Sequence, residues 1–217
     1  MAGCARQELI GGKMIMSEPI SNTRTTLPNA SGPKLSVGQI AVIGLMTAVT
    51  CVLAPFSVPI GPVPISLTSF AIYLSLYVLG MKEGTLSYLI YLLMGLIGLP
   101  VFSGFTSGPQ KLLGPTGGYL IGFIPMVILS GLVIDHANET KGKVRSQVIC
   151  FAGMIFGTII CYILGTAWLA YQANMDWKAA LFAGVIPFIP GDLAKMAIAA
   201  LAGPKIRRQL IQAGLRS

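Results

Sequence analysis

The chain has 217 residues, of which 54% are hydrophobic and only 10% charged, and its mean hydropathy is +0.76. Such a composition excludes an ordinary soluble domain and indicates one compact integral membrane domain. The net charge of +8 does not indicate nucleic acid, because the basic residues flank apolar segments instead of forming a patch with base-reading or stacking elements.

Residues 1–34 are polar, rich in Ser, Thr, Asn and Pro, and lack the apolar run of a secretory signal, so they are expected to form a disordered cytoplasmic tail. Residues 35–204 are then the membrane domain, and 205–217 a basic cytoplasmic tail. No charge occurs between Leu35 and Met81, room for two helices at about 20 residues per crossing. The cluster Pro55, Pro59, Gly61, Pro62 and Pro64 interrupts them. This predicts helix 1 over 37–54 and helix 2 over 65–79, the latter short for a full crossing. Helix 3 is expected over 84–99, closed by Gly98 and Pro100. A glycine-rich loop at 100–113 precedes helix 4 at 114–134, with Pro115 suited to a first turn. After a charged linker at 135–145, the uncharged stretch 146–175 predicts a tilted helix 5. Pro187 and Pro190 break the remaining apolar stretch, giving a short re-entrant or surface helix near 179–186 and helix 6 over about 190–202.

The fold expected is therefore all-α, with six transmembrane helices. Arg6, Lys13, Arg24, Lys34, Lys82, Lys141, Lys143, Arg145, Lys205, Arg207, Arg208 and Arg216 fall on one side of that layout, and Lys111 and Lys178 on the other. By the positive-inside rule both termini are cytoplasmic, in a multi-pass protein of the cytoplasmic membrane.

The last apolar segment holds Asp192 and Lys195 in the run FIPGDLAKM. A charge in hydrocarbon costs at least about 2.5–3.5 kcal/mol, so an intramembrane pair usually serves a pathway or a ligand. The competing explanations are a structural ion pair at i, i+3, or Asp192 as a helix cap beside Pro190. The GPTGGY turn supplies Gly114, Thr116, Gly117, Gly118 and Tyr119, where bare backbone can approach a ligand; close helix packing explains the glycines equally well. Both irregular stretches fall on the non-cytoplasmic side, where one outward-facing pocket can use both. Trp168 is either an interfacial belt anchor or a wall of that pocket. Small residues four apart recur at Gly44 and Ala48, Gly118 and Gly122, and Gly153 and Gly157; helix 1, taken as peripheral, offers Gly44 and Ala48 as a partner face.

Cys4, Cys51, Cys150 and Cys161 are scattered, and His136 is the single histidine, so neither a metal site nor a catalytic set is indicated. A GxxxxGKS/T loop is missing as well. The chain is expected not to be an enzyme and to carry no cofactor, and energy for transport must come from an ion gradient or another subunit.

The runs VPIGPVPISL, GLIGLPVFSG, LLGPTGGYLIGF, YILGTAWLA and FIPGDLAKM, in this order, resemble the BioY family, the biotin-specific substrate-binding (S) components of energy-coupling factor transporters. The resemblance implies six helices, biotin bound from outside, partnership with a transmembrane coupling subunit and ATPase subunits, and a helix 1 whose small residues, here Gly44 and Ala48, meet the coupling subunit. Biotin's ureido ring offers two N–H donors and one acceptor, so Asp192 is expected to take an N–H, and Lys195 to meet the ureido oxygen or orient Asp192. Tyr119, Trp168 and residues 100–105 would lie along the apolar part, and the glycine-turn amides or Lys111 would meet the carboxylate. The alternative reading is a stand-alone secondary transporter or channel for a small polar solute, a homo-oligomer in which Asp192 carries protons.

Overall fold

A computed structural model describes residues 36–138 and 142–214; the N-terminal tail expected at 1–34 lies outside them. Almost everything described is helix. α1 (Val37–Leu53) starts at a capping box, in which Gln39 N–H donates to Ser36 Oγ at 3.2 Å and Ser36 N–H to Gln39 Oε1 at 2.8 Å. It buries Val42, Ile43, Met46, Thr47 and Thr50, residues at helical spacing. Two short strands not expected from the sequence, β1 (Ser57–Val58) and β2 (Ile65–Ser66), pair antiparallel within the proline cluster.

α2 (Thr68–Leu96) holds both helix 2 and helix 3. The break between them is a single residue, Gly80, with φ 78° and ψ −174°, a region essentially restricted to glycine. The second arm folds back on the first, for a Cβ on Gly84 would lie 3.7 Å from the Cα of Leu76. Asp135 Oδ2 accepts from Met81 N–H at 2.8 Å and so satisfies a free amide at the start of the second arm. Asp135 was expected to open a linker; instead it lies inside α4 (Gly117–Asn138).

The glycine-rich loop contains one short helix, α3 (Pro109–Leu113). Phe102 fastens this loop to the second arm of α2. Its ring is fully buried, stacks edge-on with Tyr91 at 5.8 Å and occupies the space where a Gly95 side chain would stand. α5 (Lys143–Ala173) begins earlier than expected and ends at Asn174, which takes the left-handed conformation of a helix cap. α6 (Trp177–Gly184) and α7 (Ile189–Gln212) are bent by 43° relative to each other. α7 continues through Pro204 well beyond residue 202, where helix 6 was expected to stop.

α4 and α5 form the centre, and glycine brings them together. A Cβ on Gly153 would lie 2.5 Å from Val133, and one on Gly157 2.2 Å from Ser130 Oγ. Lipid tails are as apolar as leucine, so burial from water does not drive such contacts; van der Waals packing at short range does. α4 and α5 are each long and apolar enough to cross a membrane, and the bent pair α6 and α7 would make a third such span. α1 and the two arms of α2 fall short of a full crossing by the same measure. Exposed Ile121, Leu132, Phe156, Ile159, Ile163, Ile198 and Leu201 cover the outside of these helices, as lipid contact requires.

The bend at Gly80 generates a test. Gly80→Ala should destabilise the protein by about 1–3 kcal/mol, seen as a lower melting temperature by tryptophan fluorescence in detergent. Gly44→Ala, at a position with nothing within 4 Å of the new Cβ, should leave the melting temperature unchanged.

Candidate ligand site

At the start of α7, Pro190 occupies the first turn, where its missing N–H costs nothing, and Asp192 follows in the same turn. Only 7% of Asp192 is exposed, so its charge must be met by protein. Oδ1 accepts from Lys195 Nζ at 2.9 Å and from Ser69 Oγ at 3.0 Å, and Oδ2 from the Tyr162 hydroxyl at 2.6 Å. Lys195 Nζ donates further to Ser66 O at 2.6 Å and Ser69 Oγ at 3.3 Å. The pair thus ties α7 to β2, to the first arm of α2 and to α5.

A carboxylate has about four acceptor sites. Both on Oδ1 are taken, and Oδ2 has one donor and room for another. An ammonium has three donors, and Lys195 has placed all of them. Asp192 therefore retains binding capacity toward an incoming N–H, whereas Lys195 is saturated and serves to hold the carboxylate and the Ser66 carbonyl in register.

These groups border a small cavity of about 60 Å³, room for a few waters. Its walls include Tyr73, Tyr119, Phe123 and Phe188, with Thr116 at the rim and Val63, Pro64 and Ser103 contributed by the hairpin and the glycine-rich loop. A second polar pair lies in its lining, where the Tyr73 hydroxyl and Thr158 Oγ1 are hydrogen-bonded and Thr158 donates to Met154 O at 2.7 Å. On the far side of the Tyr162–Asp192 bond is an apolar groove of about 350 Å³ between α5, α6 and α7.

Of the residues expected at the site, Asp192, Lys195, Thr116 and Tyr119 line this one cavity. Gly114, Gly117, Gly118, Trp168 and Lys111 do not, and the geometry gives the reasons. A Cβ on Gly117 would stand 1.6 Å from Leu112 O, so this glycine closes the turn between α3 and α4. One on Gly118 would stand 2.2 Å from Trp168 Cβ. Trp168 Nε1 donates to Gly114 O at 3.0 Å, and Gln172 Nε2 to Leu113 O at 2.6 Å. The glycines and Trp168 thus clamp the turn to α5, and the turn in turn sets Thr116 and Tyr119. Lys111 sits in α3, partly buried, and that burial lowers its pKa. Tyr119 also donates to Gly184 O at 3.0 Å, which fixes the end of α6.

Ser66, Ser69, Tyr73, Thr158 and Tyr162 were missed as site residues. Their one sequence signal was a set of hydroxyls in otherwise apolar segments, with Ser66, Thr68 and Ser69 clustered at a predicted helix start.

The chain is similar to known proteins. A profile described as the BioY family matches residues 24–212. "Biotin transporter BioY" of Thermotoga maritima is 40% identical over 78% of this chain and 96% of its own length, and "Probable biotin transporter BioY" of Pyrococcus horikoshii is 38% identical over 78% and 96%. A crystal structure of the S-component for biotin from an ECF-type ABC transporter superposes with a TM-score of 0.71 at 31% identity, covering 79% of this chain and 92% of that one.

Gly118→Ala should cost about 1–3 kcal/mol through overpacking against Trp168, measured as a fall in melting temperature. A loss of ligand affinity at unchanged melting temperature would instead return Gly118 to the cavity wall. With its apolar helices, its buried carboxylate and these relatives, this membrane protein belongs to the BioY family.

Proposed function

We propose that the chain captures biotin and delivers it across the cytoplasmic membrane as the S component of an energy-coupling factor transporter. The single observation carrying this reading is the unfilled acceptor site on the Oδ2 of Asp192, a residue that lines a cavity walled by aromatic residues. A ureido N–H meets the carboxylate there, and its flat bicycle lies among Tyr73, Tyr119 and Phe123. The relatives named as biotin transporters support the choice of ligand.

A cavity of about 60 Å³ holds a few waters, and admitting the bicycle would widen it. Val63 and Pro64 of the hairpin and Ser103 of the glycine-rich loop are lining contributed by irregular backbone, and they are the proposed moving part. Lys195, with every donor engaged, orients Asp192 and reads the ureido oxygen only if it releases Ser66 O.

Six membrane crossings belong to the same proposal: α1, the two arms of α2, α4, α5, and α6 with α7. The short arms of α2 are completed at the ligand end by hairpin and loop, where irregular backbone is tolerated because it lines a cavity. Orientation rests on the opposite end, where Lys82 follows the α2 bend, Arg145 opens α5, and Lys205, Arg207 and Arg208 close α7. Those charges favour the cytoplasm and leave both termini there. Gly44 and Ala48 are exposed on α1, and nothing lies within 4 Å of a Cβ on Gly44, which suits close docking by the coupling subunit that couples uptake to its ATPases.

Asp192→Asn keeps the shape but replaces a charged acceptor. A hydrogen bond to a charged group contributes about 1.5–3 kcal/mol, so biotin affinity by isothermal titration should fall roughly tenfold to hundredfold. Dethiobiotin, which keeps the ureido ring, should lose affinity in parallel. Undiminished biotin binding by this variant would refute the assignment.

A further inference from the structure

The end of the molecule opposite the ligand cavity contains a second cavity, of about 280 Å³, between the start of α5, the end of α7 and the first arm of α2. Tyr77, Ser146, Gln147, Cys150, Arg207 and Arg208 line it. Two polar atoms of these lining residues, the Tyr77 hydroxyl and Nη1 of Arg207, are buried with no partner at full hydrogen-bonding geometry. Tyr77 is only 2% exposed. The Cys150 thiol lies beside the hydroxyl and interacts with it, but a thiol is a weak hydrogen-bond partner.

Both orphans can donate, and each is costly to leave unmet. Among the described residues, the ion pair between Asp192 and Lys195 is the one salt bridge, so neither Arg207 nor Arg208 has a carboxylate within reach there. The first turn of α5 adds the positive end of a helix dipole. Two guanidinium forks, a phenol, a serine hydroxyl and a glutamine amide thus converge on one basic hollow. A carboxylate, with two oxygens in a plane, cannot engage donors spread over three helices as well as a tetrahedral oxyanion can. Guanidinium forks match phosphate oxygens in pairs.

We infer that this cavity binds a phosphate group, held by Arg207 and the Tyr77 hydroxyl, and presented either by a phospholipid headgroup or by a soluble phosphate. α5 is apolar enough to cross a membrane, so its first turn lies near headgroup level. Basic pockets between helices at that level commonly take anionic lipid headgroups. This inference is independent of the biotin assignment.

The test uses the full chain purified in a non-ionic detergent. Phosphatidylglycerol, phosphatidylcholine and inorganic phosphate are each added while the melting temperature is followed. At about ten times its dissociation constant, the bound probe should raise the melting temperature by roughly 3–6 °C. A rise with phosphatidylglycerol but not inorganic phosphate identifies the lipid source; a rise with inorganic phosphate alone identifies the soluble one. Either rise should shrink at least severalfold in Arg207→Gln and persist in Lys178→Gln, which alters a basic residue of α6. Tyr77→Phe provides the second variant, because the hydroxyl it removes has only the weak Cys150 thiol beside it. It should leave the unliganded protein at least as stable while weakening the response. Equal responses from the wild type, Arg207→Gln and Tyr77→Phe, or no response to any of the probes, would overturn the inference.

Discussion

A carboxylate removed from water must be surrounded by donors, and the fold is arranged so that Asp192 is. Its donors come from α5, from the first arm of α2 and from Lys195 one turn along α7. None of those elements is near the others in sequence. Burying an ion pair repays its desolvation only when the remaining lone pairs and protons are also bonded. Here Ser66, Ser69 and Tyr162 do so, leaving one acceptor site on Oδ2. The residual capacity is therefore both small and directional, which suits recognition of a ligand with a planar N–H donor better than a general polar solute.

Glycine makes that convergence possible. Gly118, Gly122, Gly153, Gly157 and Gly165 let α4 and α5 approach until side chains of one occupy the space a Cβ on the other would need. The close approach sets Tyr119 against α5 and α6, and Tyr162 against α7. The α3–α4 turn is fixed in the same way, through Gly117 and Trp168. The opposite wall is built from a hairpin with two-residue strands and an irregular loop.

How much was legible in the sequence depends on how singular each signal was. Asp192 and Lys195 stood out because charge is expensive in an apolar segment, and the cavity contains both. The glycines signalled closeness but not to what. Gly117, Gly118 and Gly114 were assigned to a ligand when their neighbours are Leu112 and Trp168. Tyr162, Ser69 and Thr158 gave almost no warning, since hydroxyls are inexpensive in apolar helices and commonly bond the helix's own backbone, as Thr158 does to Met154. Helix ends were hardest to place. Asp135 looked like linker because it is charged, yet it caps the arm that begins after Gly80, and Pro204 did not end α7.

The most direct examination of the central claim is a crystal structure of the chain with biotin bound. The account predicts a ureido nitrogen about 3 Å from Asp192 Oδ2, the bicycle among Tyr73, Tyr119 and Phe123, and the hairpin or loop displaced to admit it. Biotin found elsewhere, for instance in the apolar groove between α5 and α7, with Asp192 still bonded only to Ser69, Tyr162 and Lys195, would contradict it.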